Sequence, residues 1–276
     1  MQTTLLVPTD FTKEAHTAIQ HAVKLCETMN SKLVIMHIVK DGEDVKNANK
    51  KLEKEKEIAL SFGNNFELDT IVRVGNIFDD IGQVASEISA SLIIMGTHGA
   101  SGWQKLTGSH ALKVITNSSI PFIVVQKQNM KHSGYDDIVV PLDLHKETKQ
   151  KLEIVSDMAH YFDSKIHLVT PYETDKFLKN KLNANITWAR KYLTRKKVKS
   201  SVHIAKKGTN LIKEIITVAA EVDADLITIM NLQKNSLMGM MGSQYEQSIL
   251  TNELQTPVLC VNPKTTTVSS GTVFTR

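Results

Sequence analysis

Apolar and polar positions along the chain alternate between two rhythms. Thr4–Pro8 is a short apolar run closing on Pro8-Thr9-Asp10, and from Ala15 to Met29 the apolar residues recur at helical spacing. Leu33–Val39 is a second β-rich run, and a charged helical stretch over Val45–Leu60 follows it. Phe66–Val74 predicts a third strand, Gly75-Asn76 a turn and helix N-cap, and Ile77–Ile88 a helix with apolar residues three and four apart. Leu92–Met95, a glycine-rich loop, a helix over Ala111–Asn117 and a strand over Phe122–Gln126 complete five strands alternating with four helices. Parallel strands need such crossovers, which are right-handed and cover both faces of the sheet. Short, continuously apolar strands fit that setting.

The same pattern then returns. Ile138-Val139-Val140-Pro141-Leu142-Asp143 mirrors Leu5-Leu6-Val7-Pro8-Thr9-Asp10, and the offset also aligns Ser31-Lys32-Leu33 with Ser164-Lys165-Ile166 and Gly75 with Gly208. After small gaps Gly108-Ser109 meets Gly242-Ser243, and Ile120-Pro121-Phe122 meets Thr256-Pro257-Val258. So many matches in one order are a tandem duplication of a unit of roughly 130 residues, near the usual domain size. The expected division is a first domain over 1–128, a second over 135–263 and a Thr/Ser-rich tail over 264–276, with a polar linker within Lys127–Gly134.

Composition narrows the classes. With 41% hydrophobic and 22% charged residues the chain is of globular type. No apolar run reaches the roughly 18–20 residues that cross a bilayer, and no leader pattern opens the sequence, so a cytoplasmic location and no membrane partner are expected. The formal net charge of +4 is small for the length and does not argue for nucleic acid. Cys26 and Cys260 have no C-x-x-C spacing and read as small buried hydrophobes. Lys50–Glu57 reads as a solvated helix face, and Arg190–Lys199, with Trp188 and Tyr192 nearby, as an exposed helix end or a surface for an acidic partner.

In a doubly wound sheet the ligand crevice lies at the carboxyl ends of the strands flanking the topological switch point. With a strand order of 3-2-1-4-5 those are the first and fourth strands, which end in Pro8-Thr9-Asp10 and Met95-Gly96-Thr97-His98-Gly99. Gly96 and Gly99 admit a ligand's approach to the backbone, and Gly108-Ser109 opens a helix whose free N–H groups favour an anion. Read singly, Asp10 or Thr12 is also a helix N-cap, the glycine pair is also a turn, and His98 is either a donor or a spacer. His110 either faces the phosphate or lies on a solvated helix face.

Gly96, Gly99, Gly108 and Ser109 resemble the phosphate loop of the universal stress protein family in its ATP-binding branch. Pro8-Thr9-Asp10-Phe11-Thr12 is similar to that family's first-strand motif, and His37-Ile38-Val39 to the end of its second strand. The resemblance runs over residues 1–263, with one departure: eight residues, Ala100 to Thr107, separate Gly99 from Gly108, one fewer than in the family. It implies two α/β domains with doubly wound five-stranded parallel sheets of the adenine nucleotide alpha hydrolase-like type. They would pair through their last strands as an internal pseudo-dimer, and further homodimerisation is left open.

The nucleotide-binding set it implies is Pro8, Thr9, Asp10, Ile38, Met95, Gly96, His98, Gly99, Gly108, Ser109 and His110. Asp10 would serve the ribose or adenine end, the Ile38 region the base, and the glycine loop the phosphates of ATP with Mg²⁺. No G-x-x-x-x-G-K-[ST] loop or other hydrolytic apparatus is present, so there are no catalytic residues to name and at most a slow ATPase is expected. The expected role is a nucleotide-dependent switch in a stress response, the alternative a protein-interaction scaffold of the same fold. In the second copy Asn231 and Lys234 stand where Gly96 and Gly99 do, and Pro171 matches Ile38. That copy is expected to bind ATP weakly or not at all.

Overall fold

Strand β1 (Thr4–Pro8) pairs in parallel with β2 (Lys32–Val39) on one side and β4 (Ala90–Gly96) on the other. β3 (Glu67–Val74) lies outside β2, and β5 (Phe122–Val125) outside β4. These assignments come from a computed structural model, which describes residues 2–97, 114–115, 118–144, 150–230 and 239–263. The second set, β6 (Asp137–Pro141), β7 (Lys165–Thr170), β8 (Lys199–Ile204), β9 (Leu226–Met230) and β10 (Val258–Val261), repeats the arrangement. The result is one ten-stranded sheet in the order β3-β2-β1-β4-β5-β10-β9-β6-β7-β8. Each half thus has the order 3-2-1-4-5 of a doubly wound α/β fold.

Among the described residues the one antiparallel pair of neighbours in this sheet is β5 with β10, which sets Val124 against Val258 and Phe122 against Cys260. The side chain of Gln126 donates to the Leu250 carbonyl at 3.2 Å, and that of Asn262 to the Ile115 carbonyl at 2.8 Å. Each half therefore caps a helix end of the other, and neither β5 nor β10 is left as an open edge. The open edges are β3 and β8, whose residues are half-buried or exposed where the inner strands are mostly buried.

Helices cover both faces. α1 (Lys13–Met29) and α2 (Val45–Phe62) lie on one side, and α3 (Ile77–Glu87) on the other. In the second half α4 (Lys151–Phe162) and α5 (Lys176–Arg195) take the first side, while α6 (Leu211–Glu221) and α7 (Gly239–Leu250) take the other. Of the helix expected over Ala111–Asn117, Val114 and Ile115 are described, and both are helical and buried. Alternate strand residues feed the two layers, as the pleat requires: Leu5 and Val7 enter one, Leu6 the other, each fully buried. Cys26 and Cys260 are both buried and unpaired, within these layers.

Helix boundaries follow local chemistry. Thr12 caps α1 by accepting from the Ala15 N–H, and Asn30 ends it in the left-handed region with its N–H on the Cys26 carbonyl. Asn76, expected as a cap, accepts from the N–H groups of both Phe78 and Asp79. The face assigned to α2 needs correction. Ala48, Leu52, Glu55 and Ala59 are buried at helical spacing, so Glu55 within Lys50–Glu57 belongs to the inner face rather than the solvated one.

Candidate functional site

The carboxyl end of β1 is held from several directions. The Thr9 N–H donates to the Met36 carbonyl at 2.8 Å, which ties the loop to β2. The Thr9 hydroxyl donates to Glu55 Oε2 at 3.0 Å and accepts from the Phe11 N–H at 3.0 Å. Glu55, only 3% exposed, also meets His16 Nε2 at 3.0 Å, so α1 and α2 both grip the loop. Phe11 sits at φ +65°, a left-handed conformation uncommon for a bulky residue, and the chain turns there into α1.

That turn brings Asp10 and Phe11 to the wall of a cavity of about 770 Å³, which the end of β2 and the turn after β3 also line. Ile38, Val39 and Lys40 come from β2 and its exit, Asn47, Ala48 and Lys51 from α2, and Gly75 to Phe78 from the turn into α3. Asp10 Oδ1 accepts from the Thr12 hydroxyl at 2.5 Å and from the Thr12 N–H at 3.3 Å. Burial nevertheless raises the Asp10 carboxyl above its usual range. The capping and site readings of Asp10 are therefore compatible, since one oxygen is engaged by Thr12 while the residue still lines the cavity.

His37 adds a group that in sequence marks no more than the end of a strand. Its Nδ1–H donates to the Thr9 carbonyl at 2.7 Å, which leaves Nε2 as an acceptor in the neutral ring. Burial, with the Lys51 cation acting in the same sense, pushes its pKa down and favours that neutral form. The ring packs on Phe11 with centroids 4.3 Å apart, and Lys51 Nζ stands 5.2 Å from the Phe11 centroid. The cavity thus combines the Phe11–His37 ring pair, whose imidazole is neutral, with two acidic side chains, Asp10 and Asp44, and two lysines, Lys40 and Lys51. Such a wall can stack a planar base, hydrogen-bond a sugar and attract an anion.

The other predicted residues separate into groups. Thr9 is fully buried and acts from behind the cavity wall, as does the strand-ending Pro8. Met95 is fully buried in the layer with Ile93, Phe122 and Val124, so its side chain is core. Gly96 closes β4 beneath the first turn of α1, where an added Cβ would stand 2.4 Å from the Glu14 carbonyl oxygen. That packing alone demands glycine there. His98, Gly99, Gly108, Ser109 and His110 lie outside the described residues.

Lys51 and Glu55 were the least legible, because both lie in a mixed-charge run. For Glu55 a signal existed: it falls three residues after Leu52 and four before Ala59, on the apolar stripe of α2.

In the second half Asp143 has a different setting. Its carbonyl accepts from Asn185 Nδ2 at 2.9 Å. Nearby, the buried Lys151 ammonium has its pKa pushed down to about 8 by desolvation, with Asp143 pulling the other way. Lys151 is the counterpart of Ala18 by the repeat offset, so this half buries a cation where the first buries a methyl group.

Comparison with known proteins agrees with this architecture. Residues 1–126 match the model of the universal stress protein family. A universal stress protein of Methanocaldococcus jannaschii is 27% identical over 157 residues, spanning 45% of this chain and 95% of that protein. The crystal structure of a universal stress protein from Archaeoglobus fulgidus superposes with a TM-score of 0.72 at 18% identity, covering 94% of this chain and 96% of the other. A further one from Archaeoglobus fulgidus, solved in complex with dAMP, is 20% identical and covers 46% of this chain and 98% of its own, at a TM-score of 0.38. Residues 1–126 thus form a universal stress protein domain, and the strand order of that domain repeats over the remainder.

Proposed function

We propose that the chain binds an adenine nucleotide, ATP in the first instance, in the cavity of its first half, and that occupancy serves as a switch in a stress response with slow or no hydrolysis. The observation that carries this reading is the convergence of Asp10, Ile38 and the Gly75–Phe78 turn on one cavity of about 770 Å³, a size suited to a small ligand. In this reading Phe11, His37 and Ile38 hold the base, Asp10 the sugar, and Lys40 or Lys51 offsets phosphate charge. Gly99, Gly108 and Ser109 are the proposed phosphate seat. Mg²⁺ enters as the counter-ion of the triphosphate; among the described residues no three His, Cys, Asp or Glu side chains converge as a metal site.

The division into a nucleotide-binding domain over 1–128, a second domain over 135–263 and a tail over 264–276 belongs to the same proposal. So does a cytoplasmic setting. The second domain is read as a structural partner, with Pro171 at the place of Ile38 and a buried lysine beside Asp143.

Calorimetric titration of the purified chain with ATP, with and without Mg²⁺, tests this directly. The expected result is saturation near one nucleotide per chain, with affinity reduced at least about tenfold in Asp10→Ala and in Gly99→Val. No heat at millimolar ATP would favour the scaffold alternative, and saturation at two per chain would overturn the assigned asymmetry.

A further inference from the structure

The small net charge conceals a strong separation. From Lys176 to Lys213 the sequence holds twelve lysines and arginines and no aspartate or glutamate. The rest of the chain, with 21 basic residues against 29 acidic ones, is therefore acidic. The twelve cations lie on α5, on β8, on the turns that follow them and, for Lys213, in the first turn of α6. α5 and β8 belong to the far edge of the sheet from the nucleotide cavity. Eleven of the cations are exposed, Lys196 being the half-buried one. Among the described residues only Lys196 and Lys199 of this set pair with a carboxylate, Asp157 at 3.6 Å and Asp163 at 2.8 Å.

Aromatic rings are interleaved with these charges. Phe177, Lys181, Trp188, Lys191, Tyr192 and Arg195 recur at helical spacing along one side of α5. Phe177 is 74% and Trp188 38% exposed, and the Trp188 and Tyr192 rings stack at 5.3 Å with an interplanar angle of 16°. At about 1.5 Å per residue the stripe from Phe177 to Arg195 runs for roughly 27 Å. The opposite side of the helix, through Leu182, Ala189 and Leu193, is committed to the core.

We propose that this side of α5, with the adjoining basic edge at β8, docks a single-stranded nucleic acid. The cations would follow the phosphates while the exposed rings offer π-faces on which bases stack, a combination that binds single strands without sequence readout. An acidic polypeptide would use the cations but leave the rings without a planar partner. An anionic membrane would call for an unpartnered apolar face on the helix, and α5 has already buried its own. The site is independent of the nucleotide cavity, so each stands or falls by its own test.

Fluorescence anisotropy of the intact chain with fluorescein-labelled single strands of RNA and DNA, about 12 nucleotides long, provides the measurement. Binding is expected to weaken steeply with salt. Trp188→Ala should cost about fivefold or more through lost stacking, and the double variant Lys191→Glu/Arg195→Glu about tenfold or more. These positions are exposed on the surface of α5, and circular dichroism of each variant checks that the fold is intact. The proposal is overturned by no anisotropy change at low salt, by Trp188→Ala binding as well as wild type, or by polyglutamate displacing the strand at equal charge concentration. Tighter binding to phosphatidylglycerol vesicles than to either strand would overturn it in favour of a membrane surface.

Discussion

Glu55 is a charged residue buried by the same spacing that buries Leu52 and Ala59, and its two oxygens are divided between Thr9 and His16. A buried carboxylate is tolerated when its partners replace water, and here the partners are the loop that lines the cavity and the helix that follows it. Glu55→Ala leaves the fully buried Thr9 hydroxyl without its acceptor and should lower stability by about 2–3 kcal/mol. Glu55→Gln keeps an acceptor for Thr9 and should cost about 1 kcal/mol or less. Urea unfolding of the three proteins reads the difference, and equal losses in both variants would show that the charge of the carboxylate, rather than an acceptor for Thr9, is what matters. The same variants separate positioning from bulk stability, since Glu55→Ala should also weaken the proposed ATP binding under conditions where the protein remains folded.

At the scale of elements, β4 and α1 approach closely at Gly96, where an added Cβ would meet backbone of another element. A Cβ on Gly96 would meet the Glu14 carbonyl oxygen at 2.4 Å and the Ala15 nitrogen at 2.8 Å, both backbone atoms that cannot rotate away. Gly96→Ala should therefore displace the first turn of α1, costing about 1–3 kcal/mol and disturbing the Asp10–Thr12 pair. Gly42 offers the control, because nothing lies within 4 Å of the place a Cβ would take there, and Gly42→Ala should leave the melting temperature unchanged. A melt in which the two variants coincide would remove the packing role assigned to Gly96.

This contact also marks the limit of what the sequence could tell. Element order and the caps at Thr12 and Asn76 were legible because they follow from periodicity and side-chain chemistry within a few residues, whereas the strand order 3-2-1-4-5 was a premise that no local pattern supplies. The packing duty of Gly96, the left-handed turn at Phe11 and the inward placement of Glu55 and His37 arise from elements meeting in space. Of these only Glu55 left a trace, in its position on the apolar stripe of α2.

Across the whole molecule, the two halves share a sheet and two apolar layers, and the segment that links them is also anchored. His21 of α1, 1% exposed, donates from Nε2 to the Gln128 carbonyl at 2.9 Å and accepts at Nδ1 from the Tyr135 hydroxyl at 2.9 Å. Tyr135 in turn meets the Phe162 ring of α4 edge-on at 5.6 Å, and its carbonyl accepts from the Ser164 hydroxyl. Both ring nitrogens of a neutral imidazole are thus used, and desolvation by burial pushes the His21 pKa down from 6.5 to about 4. The folded chain resists a proton that the unfolded chain accepts, so the stability attached to neutral His21 is fully present above about pH 6.5. It is lost progressively as pH falls toward 4, by an amount of about 3 kcal/mol at roughly 1.36 kcal/mol per pKa unit. His21→Gln removes the titrating group while retaining a donor and an acceptor. Urea midpoints measured between pH 7.5 and 4.5 should fall more steeply for wild type than for His21→Gln, because carboxylate titrations common to both cancel in the difference. Parallel profiles would mean that this histidine opens to solvent before the fold is lost, and that the joint between the halves is looser than its hydrogen bonds imply.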